Sequence, residues 1–128
     1  TSYSELRRDA LSCERWNRLH PGAAPRQCYV NACLAAEPWP VIAVSDYMKT
    51  VPDQIARFVP DGMVSLGTDG FGRSDTRRAL RRFFEVDRHH ITVAALAALA
   101  ETTGGRERLE SALARYGIDR DAAPPWTR

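Results

Sequence analysis

The sequence predicts an α/β fold with a mostly parallel sheet, and three observations carry that expectation. Two short runs, PVIAVS at 40–45 and MVSLG at 63–67, have the length and apolar character of strands buried on both faces. Around them lie segments whose apolar residues recur at helical spacing. The glycine-rich stretch SLGTDGFGRSD, 65–75, joins the second run to one of these segments, as a strand-to-helix turn does.

The elements follow in chain order. Ser4 is a predicted N-cap, and Leu6, Ala10, Cys13 and Trp16 or Asn17 carry a helix to Leu19, where Pro21 and Gly22 end it. A second short helix is expected over 27–35, with Val30, Cys33 and Leu34 inward. EPWP at 37–40 breaks the chain before the first strand. Val51, Ile55 and Phe58, at i, i+4 and i+7, predict a helix over 49–58 that holds Pro52 in its first turn, where no N–H is needed. A turn over 59–62 leads into the second strand.

Beyond the glycine-rich loop, Ala79, Leu80, Phe83 and Phe84 form an apolar stripe on a helix starting near Asp75 or Thr76 and capped by Ser74 or Asp75. Asp87 caps the next helix. There Ile91, Val93, Ala94, Leu96, Ala97 and Leu99 are apolar almost all round, so it should be well buried. TTGG at 102–105 interrupts, and Leu109, Leu113 and Tyr116 mark a last helix that Gly117 terminates. Residues 1–119 read as one domain and 120–128 as an irregular tail. Two strands cannot cover this many apolar helix faces. Thr1, Ser2 and Tyr3 therefore read as the stub of a third strand, with further strands expected before Thr1.

Composition narrows the function classes. The chain has 128 residues, 44% of them apolar, enough for one domain with a core and against wholesale disorder. Eighteen Lys and Arg against sixteen Asp and Glu leave a net charge of +2, no field for nucleic acid or an anionic membrane. The longest apolar run, 91–100, is too short to cross a bilayer. Cys13, Cys28 and Cys33 make an odd count without a C-x-x-C, which suits reduced thiols.

The chemistry-bearing patterns are few. Gly67, Gly70 and Gly72 stand in G-x-x-G-x-G order, neither the dinucleotide fingerprint nor a P-loop. A carboxylate capping the following helix would occupy the amides a phosphate needs. The loop reads as a structural turn, a subunit or domain contact, or an anion site, with Asp69 and Arg73 as a local ion pair. RRALRR sets Arg77, Arg78, Arg81 and Arg82 on one face opposite the Phe83 and Phe84 stripe, either a grip for phosphates or a solvated face. His89 and His90, about 100° apart on a helix, cannot share a metal and read as surface residues of a helix start. His20 sits near the end of the first helix, where a protonated imidazole suits the helix dipole; it is a candidate general base with nothing visible to orient it. Cys28 and Cys33 are about 140° apart, which disfavours pairing. With no G-x-S-x-G and no H-E-x-x-H, no catalytic, cofactor-binding or metal-ligating residue is nominated.

Longer strings are more specific. TSYSELRRDALSCERWNRLHP, AVSDYMKTVPDQIARFVPDG, LGTDGFGRSDTRRALRRFFEVD and HITVAALAALAE resemble the C-terminal region of the homodimeric pyruvate dehydrogenase E1 family, thiamine-diphosphate-dependent members of the transketolase superfamily. The resemblance runs from Thr1 to about Asp119. It departs at Gln27-Cys28-Tyr29, where the family usually has Val-Pro-Tyr, in the looser segment 101–119, and in the PPWTR tail. It implies a three-layer αβα domain of the transketolase C-terminal type, without its N-terminal βα unit or units. It further implies a full enzyme that decarboxylates pyruvate on thiamine diphosphate and Mg²⁺ held by other domains. The acetyl group then passes to the lipoyl group of the E2 acetyltransferase. The implied partners are the rest of the E1 chain, a second E1 subunit and E2, in the cytoplasm, with no nucleic acid or membrane. This domain would supply structure and association, with Asp69, Phe71, Arg73 and Asp75 lining a domain or subunit contact. Two readings from other classes stand beside it: a stand-alone adaptor that reuses the domain without catalysis, and an anion- or nucleic-acid-binding module using the four arginines.

Overall fold

A computed structural model describes residues 2–36 and 39–128. Its elements run α1 (Tyr3–Leu19), α2 (Tyr29–Leu34), β1 (Val41–Val44), α3 (Thr50–Asp53), a 3₁₀ turn (Ala56–Phe58), β2 (Met63–Leu66), α4 (Arg77–Phe83), α5 (Arg88–Thr103), α6 (Arg106–Tyr116) and a 3₁₀ turn (Pro125–Thr127). Of the expected break at 37–40, residues 37 and 38 lie outside the described residues, and Pro40 directly precedes β1.

The strands pair as a two-stranded sheet. Val41 N–H donates to the Gly62 carbonyl and Ser45 N–H to the Leu66 carbonyl, both at 3.1 Å. The offset is the same at both ends, so the pair is parallel. The fold is thus α/β, as expected. The strands are not buried on both faces, however: Ala43 is buried, while Val44 and Val64 are exposed. The expected stub of a third strand is also corrected, because Tyr3 already lies in α1, while Thr1 falls outside the described residues.

The chain divides into two compact units, Thr1–Val41 with Thr50–Met63, and Ile42–Lys49 with Val64–Arg128. In the first, Ala10 of α1, Cys28 and Val30 at the start of α2, and Ile55, Phe58 and Val59 form the core, with Leu6, Leu11 and Leu34 packed against it. Ser2, not Ser4, is the N-cap of α1, and its carbonyl accepts from Glu5 and Leu6. The expected helix 27–35 is shorter because Asp9 Oδ2 takes the Tyr29 N–H at 2.7 Å and starts α2 there. Cys33 is exposed instead of inward.

The expected helix 49–58 breaks after one turn. Ile55 N–H donates to the Pro52 carbonyl and Phe58 N–H to the Ile55 carbonyl, so the chain tightens into 3₁₀ bonding. That turn brings Ile55, Phe58 and Val59 together inside the core, and packing overrides the local helical pattern.

In the second unit α4 starts at Arg77, with Thr76 as its N-cap: Thr76 Oγ1 accepts from Ala79 N–H at 3.3 Å. Neither Ser74 nor Asp75 caps it; Asp75 Oδ1 accepts the Thr76 N–H at 2.7 Å and so fixes the approach. α4 ends in a Schellman turn, with Val86 N–H donating to the Arg81 carbonyl and Glu85 N–H to the Arg82 carbonyl. Glu85 takes the left-handed position at φ 60° that glycine usually fills. Gly117 ends α6 the same way, at φ 58°. α5 packs along α6 and is only half-buried from Ile91 to Ala100, not well buried as its apolar sequence predicts.

Candidate contact surface around the glycine-rich loop

The loop after β2 is built to hold a fixed shape. A Cβ on Gly67 would stand 2.5 Å from the Tyr47 carbonyl oxygen and 2.8 Å from the Lys49 nitrogen, so only glycine lets these backbones meet. Thr68 N–H donates to that Tyr47 carbonyl at 2.9 Å, and Thr68 Oγ1 donates to the Asp46 carbonyl at 2.9 Å. Asp69 turns inward: its Oδ1 accepts the Lys49 N–H at 3.0 Å, and Oδ2 lies 4.0 Å from Lys49 Nζ. The expected Asp69–Arg73 pair therefore does not form, because Lys49 is the cation that the backbone brings to Asp69.

Gly70, at φ 106°, sits against the tail: a Cβ there would meet Trp126 Cα at 2.9 Å. Lys49 Nζ stands over the Trp126 ring at 4.6 Å, and Arg128 reaches Glu85 at 2.8 Å. The tail expected to be irregular thus clasps the loop with one 3₁₀ turn. Arg73 lies over the Phe83 ring at 4.0 Å. Between these anchors Phe71 stands 87% exposed.

Of the four residues singled out in sequence, Phe71, Arg73 and Asp75 line a common groove of about 620 Å³ with Asp46, Leu80 and Arg81, while Asp69 serves as the bolt beneath it. Two of the amides around the loop are already spent: Thr68 N–H donates back to Tyr47, and Ala79 N–H at the start of α4 donates to Thr76 Oγ1. Sequence reasoning missed Lys49 and Trp126. Their partners lie 20 or more residues away, and no local pattern announces such a contact.

At the other end of α4, Asp87 organises a second cluster. Its Oδ1 accepts from the backbone N–H of His89 at 3.1 Å and of His90 at 3.0 Å, and from His90 Nδ1 at 2.8 Å. Burial pushes the Asp87 carboxyl up, but these His90 hydrogen bonds and the nearby Arg82 guanidinium outweigh it and hold the carboxyl below its usual value. Arg82 Nη2 donates to the carbonyls of Tyr116 and Gly117, so Arg82 is a structural tie and not a free cation. The histidines stand at the helix start as expected but are partly covered: His90 is 14% exposed, and His89, at 32%, stacks on Tyr116 with centroids 4.5 Å apart.

Elsewhere His20 stacks on Trp16 and bonds its carbonyl. Cys13, Cys28 and Cys33 are free thiols. Among the described residues no three His, Cys, Asp or Glu side chains converge as a metal site, and no helix is long and apolar enough to cross a membrane.

Comparison with known proteins gives the family. The family model of the transketolase-like TK C-terminal domain matches residues 1–87. Across 97% of this chain there is 53% identity to the pyruvate dehydrogenase E1 component of Pseudomonas aeruginosa. The same component of Cupriavidus necator is 47% identical and that of Escherichia coli (strain K12) 44%, each over 98% of the chain. The chain spans 14% of the length of each of these relatives. It belongs to the transketolase-like C-terminal domain family, in the form found among pyruvate dehydrogenase E1 components.

Proposed function

We propose that this chain is the C-terminal domain of a pyruvate dehydrogenase E1 component, and that its work is structure and subunit association. The full enzyme then decarboxylates pyruvate on thiamine diphosphate and Mg²⁺ and reductively acetylates the lipoyl group of its E2 acetyltransferase, in the cytoplasm. In the glycine-rich loop, Asp69 and Thr68 spend their side chains on the Lys49 N–H and the Asp46 carbonyl of the neighbouring segment. By family resemblance the cofactor is assigned to other domains, and no chemical step is assigned to this one.

The observation that carries the association role is Phe71. A large apolar side chain at 87% exposure, on a loop locked from below by Gly67 and Asp69 and from the side by Trp126, is a pre-formed anchor for a partner surface. The partner is the rest of the E1 chain or the second subunit of a homodimer. Arg73 and Asp75 border the same groove and would supply its polar rim.

The test is made on the whole polypeptide. Phe71→Asp combined with Arg73→Ala should raise the dimer dissociation constant at least tenfold in analytical ultracentrifugation, and with it lower pyruvate-dependent reduction of an artificial electron acceptor at low enzyme concentration. Unchanged dissociation of the double variant would refute the contact. A whole protein inert toward pyruvate with thiamine diphosphate and Mg²⁺ would favour the adaptor reading.

A further inference from the structure

We propose that the groove where α4, the start of α5 and the end of α6 meet binds a small polyphosphate-bearing ligand. It has a volume of about 850 Å³ and is lined by Arg77, Arg78, Arg81, Arg88, His89 and Tyr116, together with Arg82, Asp87, Val86 and Ile91. That volume is of the size that holds a small molecule.

The charges in this groove are unbalanced in a specific way. Asp87 is its one carboxylate; its Oδ1 is taken by two backbone amides and the His90 ring, and its Oδ2 faces Arg82 at 3.6 Å and His89 at 4.0 Å. Arg82 Nη2 is held by the Tyr116 and Gly117 carbonyls, while its buried Nη1 makes no hydrogen bond and lies 3.6 Å from Asp87 Oδ2. Among the described residues no hydrogen bond or ion pair holds Arg77 or Arg78, and Arg81 has only a 3.7 Å pair with an exposed Asp46. Arg88 Nε donates to His89 Nε2 at 3.3 Å, which leaves its terminal nitrogens for a ligand.

Two pairs of like charges, Arg77 with Arg81 and Arg78 with Arg82, stand at i, i+4, a spacing at which they repel. An anion seated between the helices relieves that repulsion, and the guanidinium fork matches phosphate oxygens two at a time. The stacked His89 and Tyr116 rings give the groove a rigid wall. Four of the lining residues, Arg88, His89, Ile91 and Tyr116, lie beyond the stretch shared with the general domain family, so this groove is a feature of the longer chain. Its limited size and the net charge of +2 favour a small polyphosphate over a nucleic acid strand.

The experiment is isothermal titration of the full-length protein with inorganic tripolyphosphate, at low and at physiological salt. Wild type should bind saturably and more weakly as salt rises. Arg77→Gln with Arg78→Gln should weaken binding about tenfold or more, as expected from the loss of two charge-assisted contacts. The exposed and unpaired state of both residues leaves the fold untouched, which circular dichroism checks, and Arg7→Gln on α1 should bind as wild type does. The lysine pair R77K/R78K should recover part of the loss, since charge remains but the fork does not. Absence of saturable binding would overturn the proposal, as would binding equal in the double variant and in R7Q. A short single-stranded oligonucleotide bound more tightly than tripolyphosphate would overturn it too, in favour of a nucleic-acid surface.

Discussion

Replacing Gly67 by alanine tests whether the glycine-rich loop is held by backbone-to-backbone contact. The new methyl group would lie 2.5 Å from the Tyr47 carbonyl oxygen and 2.8 Å from the Lys49 nitrogen. Both are main-chain atoms and cannot rotate away as a side-chain tip would. Overpacking of this kind costs about 1–3 kcal/mol. The segment 47–49 must also retreat, and that lengthens the Thr68 N–H to Tyr47 carbonyl bond at 2.9 Å and the Lys49 N–H to Asp69 bond at 3.0 Å. Each is worth about 1 kcal/mol net. The sum is about 3–5 kcal/mol, a large share of the roughly 5–15 kcal/mol that holds a domain together. Gly72→Ala is the matched control: a Cβ there meets nothing within 4 Å, and its effect should stay within about 1 kcal/mol, on the stabilising side if the unfolded chain is stiffened. Thermal unfolding followed by circular dichroism should place G67A about 10 °C or more below wild type, with G72A close to it. Equal shifts in the two variants would refute the close-approach argument.

Further outcomes are expected elsewhere. Asp87→Ala should cost about 1–2 kcal/mol in urea unfolding at neutral pH, because two amides at the start of α5 lose their acceptor. The Asp87 carboxyl is held below its unfolded value, so its contribution is present above that unfolded value and is lost as pH falls through the folded one. Asp87→Asn should therefore flatten the acid limb of stability against pH. Glu85→Gly should stabilise the protein by about 0.5–1 kcal/mol in urea, since glycine accepts the left-handed position without a Cβ penalty. The exposed Arg128 pair it forfeits is worth less than this. Removal of 125–128 should expose the loop to chymotrypsin at Phe71, read as faster cleavage by mass spectrometry. Among the thiols, exposed Cys33 should alkylate first with iodoacetamide. Cys13 should lag, because burial, then Asp9 and Cys28, push its thiol up.

Much of this architecture was legible where a residue type has a single physical use. Asp87 ahead of an apolar run reads as a cap and is one, and Gly117 after the last periodic residue reads as a helix stop and is one. Legibility fails where tertiary contact decides. Glu85 occupies a glycine position that its side chain does not advertise, and it ends α4 because Val86 is buried beside it. The helix expected over 49–58 has a sound apolar period, yet the core draws Ile55, Phe58 and Val59 into a tighter turn. Around the loop, the three glycines mark a turn correctly, but Lys49 beneath Asp69 and Trp126 against Gly70 are brought in from remote parts of the chain. The four arginines look equivalent in RRALRR. Only the tertiary fold separates Arg82, tied to two carbonyls, from Arg77 and Arg78.

The reversal between α5 and α6 has an evolutionary consequence. Gly104 and Gly105 adopt φ values of 74° and 112°, and a Cβ on either would meet no other atom. The turn of the hairpin is therefore set by two backbone dihedrals that disfavour any L side chain, not by crowding around the glycines. Selection on this hairpin falls on two codons, while the charged outer residues of α6, such as Arg106, Glu107 and Arg108, are free to drift without disturbing its geometry. Lineages of this domain should thus differ most in the surface charge of α6 and least in the glycine pair that aims it.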